Sequence, residues 1–183
     1  NNRSKDCQLD KIDASAQSTT ETTIIDPLSF LHSISESTIG IQKIERIKQL
    51  NMHIKTMDSE DAQSILNIGF CIELLELICD DQTHIQKELL SIPGSIAQIQ
   101  QTRIAHSVKN IFFDAFNESG LLAKIEDIFS REMENELSND NNSEVHYPEF
   151  IINLTQTILF IYTNKEPKTE IRSNCSKVIV SQI

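Results

Sequence analysis

"NIFFDAFNESGLLAKIEDIFSREM", residues 110–133, decides how this chain folds. Its first half gathers Ile111, Phe112, Phe113 and Phe116, Asn117–Gly120 interrupts, and Leu121, Leu122, Ile125, Ile128 and Phe129 resume the pattern. Apolar residues recurring every three or four positions on both sides of a glycine read as two amphipathic helices. Ser119–Gly120 closes the first, because glycine adopts the left-handed conformation without a Cβ penalty. Phe112 and Phe116 then share a face with Ile111 and Ala115 and meet Leu122, Ile125 and Phe129 of the next helix. Such a seam accounts for these positions without any ligand. Phe113 falls off that face and stands as a candidate exposed anchor.

The same period runs through most of the chain. "DPLSFLHSIS" opens a helix with Asp26 as N-cap and Pro27 as its first residue. "TIGIQKIERIKQLNMHIKT" places Ile41, Ile44, Ile47, Leu50 and Ile54 on one face. In "MDSEDAQSILNIGFCIELLELICDD", Ile65, Ile68, Ile72, Leu75 and Cys79 form one stripe and Leu66, Phe70, Leu74 and Leu77 a second. A helix apolar on two faces is expected at the centre of a stack. A short helix, "DQTHIQKELLSI", ends before Pro93, and a long one is expected from Pro93 to Glu118. "SNDNNSEVHY" is a polar connector. "YPEFIINLTQTILFIYTN" and "EPKTEIRSNCSKVIVSQI" supply the last two helices. The final face, Ile171, Cys175, Val178 and Ile179, is expected to be covered by something beyond it.

Composition agrees. Glycine and proline number only 4 each in 183 residues, few for a fold built on tight turns, while apolar residues reach 39%. The totals favour long helices and one domain with a real core. Residues 1–23 are polar and cannot bury enough surface to fold, so they read as a disordered tail or linker ahead of a helical domain at 24–183. The chain begins with Asn, as an excised segment would.

Charge narrows the partners. A formal net charge of −11 repels phosphates and anionic lipid surfaces, and no Lys/Arg stripe relieves it. The longest apolar stretch, Phe150 to Tyr162, is too short to cross a bilayer. The 4 cysteines show no C-x-x-C spacing, so reduced thiols in the cytoplasm or nucleus are expected.

One internal echo goes further. "NIGFCIELLELI" (67–78) and "ESGLLAKIEDIF" (118–129) carry apolar residues five, eight and nine places after a glycine: Leu74, Leu77 and Ile78 against Ile125, Ile128 and Phe129. A helix entered through a glycine with such a start resembles the third helix of an armadillo repeat. The tract from about residue 58 onward is similar to armadillo/HEAT-like arrays, although the two glycines lie about fifty positions apart where roughly forty is usual. The resemblance implies an all-α fragment of stacked antiparallel helices, an α-solenoid within a longer array. It further implies a non-enzymatic scaffold or adaptor that binds a protein or peptide without a cofactor. Its groove would be lined by polar residues of the long helices, here Gln98, Gln101, Arg103, His106, Lys109 and Asn110.

Other chemistry is sparse. "SREMENELSND", with Glu132, Glu134, Glu136 and Asp140, reads as a solvated helix end, with an acidic rim that recognises a basic peptide as the functional alternative. Asp80, His84 and Glu88 recur every four residues and would share one helical face, the basis of a rival reading as a metal- or small-molecule-binding bundle. Against it, Asp80–Asp81 more naturally cap the following helix, and no H-E-x-x-H motif is present. Neither G-x-S-x-G nor a glycine-rich phosphate loop occurs. A structural subunit of a large complex is the remaining alternative.

Overall fold

The computed structural model describes residues 26–37, 39–58, 61–62, 66–80, 83–103, 111–139, 147–163 and 165–183. Secondary structure among them is helical: α1 (Pro27–Ser35), α2 (Gly40–Thr56), α3 (Ile68–Asp80), α4 (Thr83–Leu89), α5 (Ser91–Arg103), α6 (Ile111–Glu118), α7 (Leu121–Asn139), α8 (Glu149–Ile161) and α9 (Thr169–Val180). The all-α class expected from the sequence is met. The expected tail at 1–23 lies outside the described residues, as do 140–146 of the polar connector.

Helix ends follow local chemistry. Asp26 accepts hydrogen bonds from the Leu28 and Ser29 amides, both at 3.2 Å, and Pro27 opens α1 as its first residue. A carboxylate there satisfies donors that the helix cannot pair internally. Asn67 does the same for α3, taking the Gly69 amide at 2.8 Å and that of Phe70 at 3.3 Å. Gly120 has φ +82° and lies between α6 and α7, in the left-handed region where a side chain would be strained.

The echoed residues behave alike: Leu74, Leu77 and Ile78 of α3 and Ile125, Ile128 and Phe129 of α7 are all buried. Their glycines do not. Gly69 sits in the first turn of a helix that Asn67 caps, whereas Gly120 terminates the preceding helix. The spacing matched because both helices bury a similar stripe, while the entry into each is built differently.

Two rows of helices pack face to face. In one row α1 contacts α3, α3 contacts α7, and α7 contacts α9; in the other, α2 contacts α5 and α5 contacts α8. Across the rows α1 packs on α2, and α8 packs on both α7 and α9. The short α4 touches α2, α3 and α5, and α6 rests on α3 and α7. Phe112, Phe116, Leu122, Ile125 and Phe129 are buried together in this core, as the helical spacing predicts. Each buried large side chain stabilises by roughly 1.5–3 kcal/mol.

Of the long helix foreseen from Pro93 to Glu118, the described residues give α5 and α6, and 104–110 between them lie outside the described residues. The start moves by two residues: α5 begins at Ser91, and Pro93 falls in its first turn, where its missing amide hydrogen costs nothing. Another expectation changes: α3 is not covered on two faces. It buries Phe70, Cys71, Leu74, Leu77 and Ile78, while Ile68 and Ile72 remain 40% and 42% exposed and Cys79 is exposed with them. α3 packs on α1, α4, α6 and α7, and none of these covers Ile68, Ile72 or Cys79.

α5 and α8 approach closely at Gly94. A Cβ placed on Gly94 would lie 2.7 Å from Thr157 Oγ1, inside van der Waals contact. Gly94→Ala should therefore destabilise by about 1–3 kcal/mol in urea unfolding, as other overpacked sites do. Adding Thr157→Ala should recover most of that loss, since it removes the atom in the way.

Candidate functional site

Polar residues interrupt the apolar patterns of α2, α5 and α8, and the packing brings those interruptions together. Lys48, Asn51, Met52 and Lys55 recur at helical spacing and share one face of α2. Asn153, Gln156, Thr157 and Phe160 do the same on α8. Between these faces run Ser91, Gly94, Ser95 and Gln98 of α5, and together they line an open hollow of about 540 Å³. A second hollow of about 410 Å³ shares Glu88, Ser91, Asn153 and Thr157 and is bordered by Lys87, Glu149 and Phe150. The two make one groove across three neighbouring helices.

Several of its side chains are fixed by one another. Asn51 donates to Ser91 Oγ at 2.5 Å and accepts from Ser95 Oγ at 2.9 Å, tying α2 to α5. Lys87 stands 4.7 Å over the Phe150 ring and 3.2 Å from Glu132 Oε2, joining α4 to α8 and α7. Thr157 donates back to the Asn153 carbonyl at 3.0 Å, so its hydroxyl is satisfied within α8. Met52 is 70% exposed and Phe160 half-buried, giving the floor two apolar patches. Although the chain is strongly acidic, Lys48 and Lys55 make the α2 wall cationic, and Glu88 is the carboxylate that shares the larger hollow with them.

The residues singled out in the sequence fall as follows. Gln98 is exposed in the groove. Gln101 and Arg103 belong to α5, but their side chains lie outside the described residues, as do His106, Lys109 and Asn110 entirely. Phe113 is half-buried: its ring meets that of Tyr162 edge-on at 5.5 Å, and Lys165 Nζ lies 3.7 Å from its centroid. It is therefore not the bare anchor expected. Glu132 is engaged by Lys87, and Glu136 is half-buried on α7. Asp80 and His84 are exposed while Glu88 faces the groove, and among the described residues no three His, Cys, Asp or Glu side chains group as metal ligands.

The groove residues of α2 and α8 were missed by the sequence reading. The signal was present: Asn153 and Gln156 break the apolar run of α8, and a polar pair three apart within a buried helix marks an uncovered face.

Nucleophile chemistry finds little footing. Burial pushes the Cys71 thiol up to about 12, against a smaller opposing effect of a hydrogen bond with Ser119. Burial likewise raises Cys175 to about 11. Burial raises the Tyr162 phenol too, and the hydrogen bond and negative charge of Glu126 push the same way. No helix among the described residues is long and apolar enough to cross a membrane. Compared with protein families, curated proteins and solved structures, the chain matches no family model, no curated protein and no solved structure.

Thiolate is the reactive form of cysteine, so exposure and burial should sort these residues. In the folded chain at about pH 8, iodoacetamide should alkylate Cys79 well before Cys71 and Cys175. Peptide mapping by mass spectrometry checks the order, and denaturant should erase it.

Proposed function

We propose that the chain is a non-enzymatic interaction scaffold of the armadillo/HEAT-like helical-repeat type, which holds a segment of a partner protein in the groove across α2, α5 and α8. The observation that carries this reading is the groove itself: helices from three successive parts of the chain lie side by side and turn polar residues to one surface. Stacked helical units of this kind work by presenting such surfaces. The side-chain amides of Asn153 and Gln156 offer donors and acceptors that an extended peptide backbone needs. Met52 and Phe160 offer contact for one apolar side chain.

Charge sets the preference. Lys48 and Lys55 make the α2 wall positive and favour a segment bearing carboxylates through electrostatic steering. What the groove offers is hydrogen bonding, charge and apolar contact, which suits binding. Unpaired thiols accord with the cytoplasm or nucleus as the place of work.

Panning a displayed library of random dodecapeptides on the full chain tests the reading. Peptides rich in Asp and Glu around an apolar residue should be enriched. Their affinity should fall about tenfold or more in a Lys48→Glu/Lys55→Glu variant, the scale expected for reversing charges at a steered interface. A folded, monodisperse chain that enriches no peptide, or whose peptides ignore these substitutions, would sink the proposal.

A further inference from the structure

The turn between α8 and α9 is fastened by lysines. Lys165 Nζ lies 3.2 Å from Asp114 Oδ1 and over the Phe113 ring, both on α6. Lys168 Nζ lies 2.5 Å from Glu126 Oε2 on α7, and the Tyr162 hydroxyl donates to the other oxygen of that carboxylate. The partners differ in access: Glu126 is 5% exposed, whereas the Lys168 side chain is 71% exposed. A buried carboxylate thus depends for its counter-charge on one lysine that solvent, and any enzyme, can reach.

The surroundings sharpen that dependence. A shallow hollow of about 290 Å³ beside the pair is lined by Glu126, Asp127, Ser130, Lys168, Glu170 and Ile171. Three carboxylates face it and Lys168 is the single cation among these lining residues. Asp127 also stands 3.9 Å from Arg131, one turn along α7. Removing the Lys168 charge leaves Glu126 an uncompensated buried anion near two more, which costs far more than an exposed ion pair is worth. α9 has little to set against this, since it buries only Ile171, Cys175 and Val178.

We propose that Lys168 is a regulatory acylation site whose modification releases α9 from α7 and α8. The co-reactant is an acyl thioester. When the bridge to Glu126 opens, the ammonium gives its proton to water and the free amine attacks the thioester carbonyl. A C–N amide bond forms, the C–S bond breaks and the thiol departs. The uncharged product can no longer pair with Glu126, so acylation captures the open arrangement and holds it. Release uncovers the apolar strip and the Cys175 thiol.

Hydrogen exchange of the full chain carrying acetyl-lysine at 168, read by mass spectrometry, tests this. Exchange in α9 should rise about tenfold or more while α1 and α2 stay as in the unmodified chain, the pattern of a local opening. Lys168→Gln should follow the acetylated chain, and Lys168→Arg should keep α9 protected. Glu126→Gln in the acetylated background should restore protection, because it removes the stranded charge and keeps an acceptor for Tyr162. Unchanged exchange on acetylation overturns the proposal, and so does a general loss of protection that Glu126→Gln fails to reverse. Incubation with an acetyl thioester supplies a second arm: acetylation at Lys168 accompanied by α9 exposure supports the site. Modification of Lys48 with Lys168 left untouched counts against it.

Discussion

The contact of α5 with α8 at Gly94 and Thr157 is the constraint on which the groove depends. With hydrogen at the Gly94 α-carbon, the two helices approach until the Thr157 hydroxyl fills the space a Cβ would take. A methyl group there would separate them or shift Thr157, and the walls of both hollows would move with it. The second joint is polar. Asn51 bridges Ser91 and Ser95, so the register of α2 on α5 is set by hydrogen bonds whose geometry tolerates little sliding. One joint is steric and the other directional, and between them they place three helices of one row at fixed spacing.

The opposite row rests on different physics. Phe112, Phe116, Leu122, Ile125 and Phe129 are buried where α6 meets α7, and their stabilisation scales with area removed from water and does not depend on charge. The far end is held in part by Glu126, Lys168 and Tyr162, whose ionic contact is lost if one proton or one charge changes. A molecule assembled in this way has a durable centre and an edge that chemistry can address. The groove across α2, α5 and α8 and the hollow beside Glu126 share no lining residue.

Helix location and much of the core were legible in the sequence. Asp26 with Pro27, Gly120, and the stripes of α6 and α7 are each decided within a few residues, by hydrogen bonding at a helix end, by backbone sterics, and by a period of 3.6. Residues three and four apart on a helix share a face, and Leu74 with Leu77 and Ile125 with Phe129 are buried together, although the face read for α2 ends early, since Ile41 is exposed.

Which faces meet was left open, since periodicity names a face and not its neighbour. Ile68 and Ile72 follow the same period as Leu74 and Leu77 yet stay half open, because none of the helices packed on α3 reaches that face. Asn153 and Gln156 read as defects in an apolar run until α2 and α5 turn them into a groove floor. Glu126 looks like any exposed carboxylate in "LLAKIEDIF". It becomes a buried hub only when the chain returns Tyr162 and Lys168 from 36 and 42 residues away. The sequence by itself determined where helices begin, end and turn apolar, because those are local energies. The assembly of the groove and of the Glu126 clasp was decided by tertiary structure, because each is made of side chains from separate helices, and a local signal such as Asn153 with Gln156 marks an open face without naming what lies beside it.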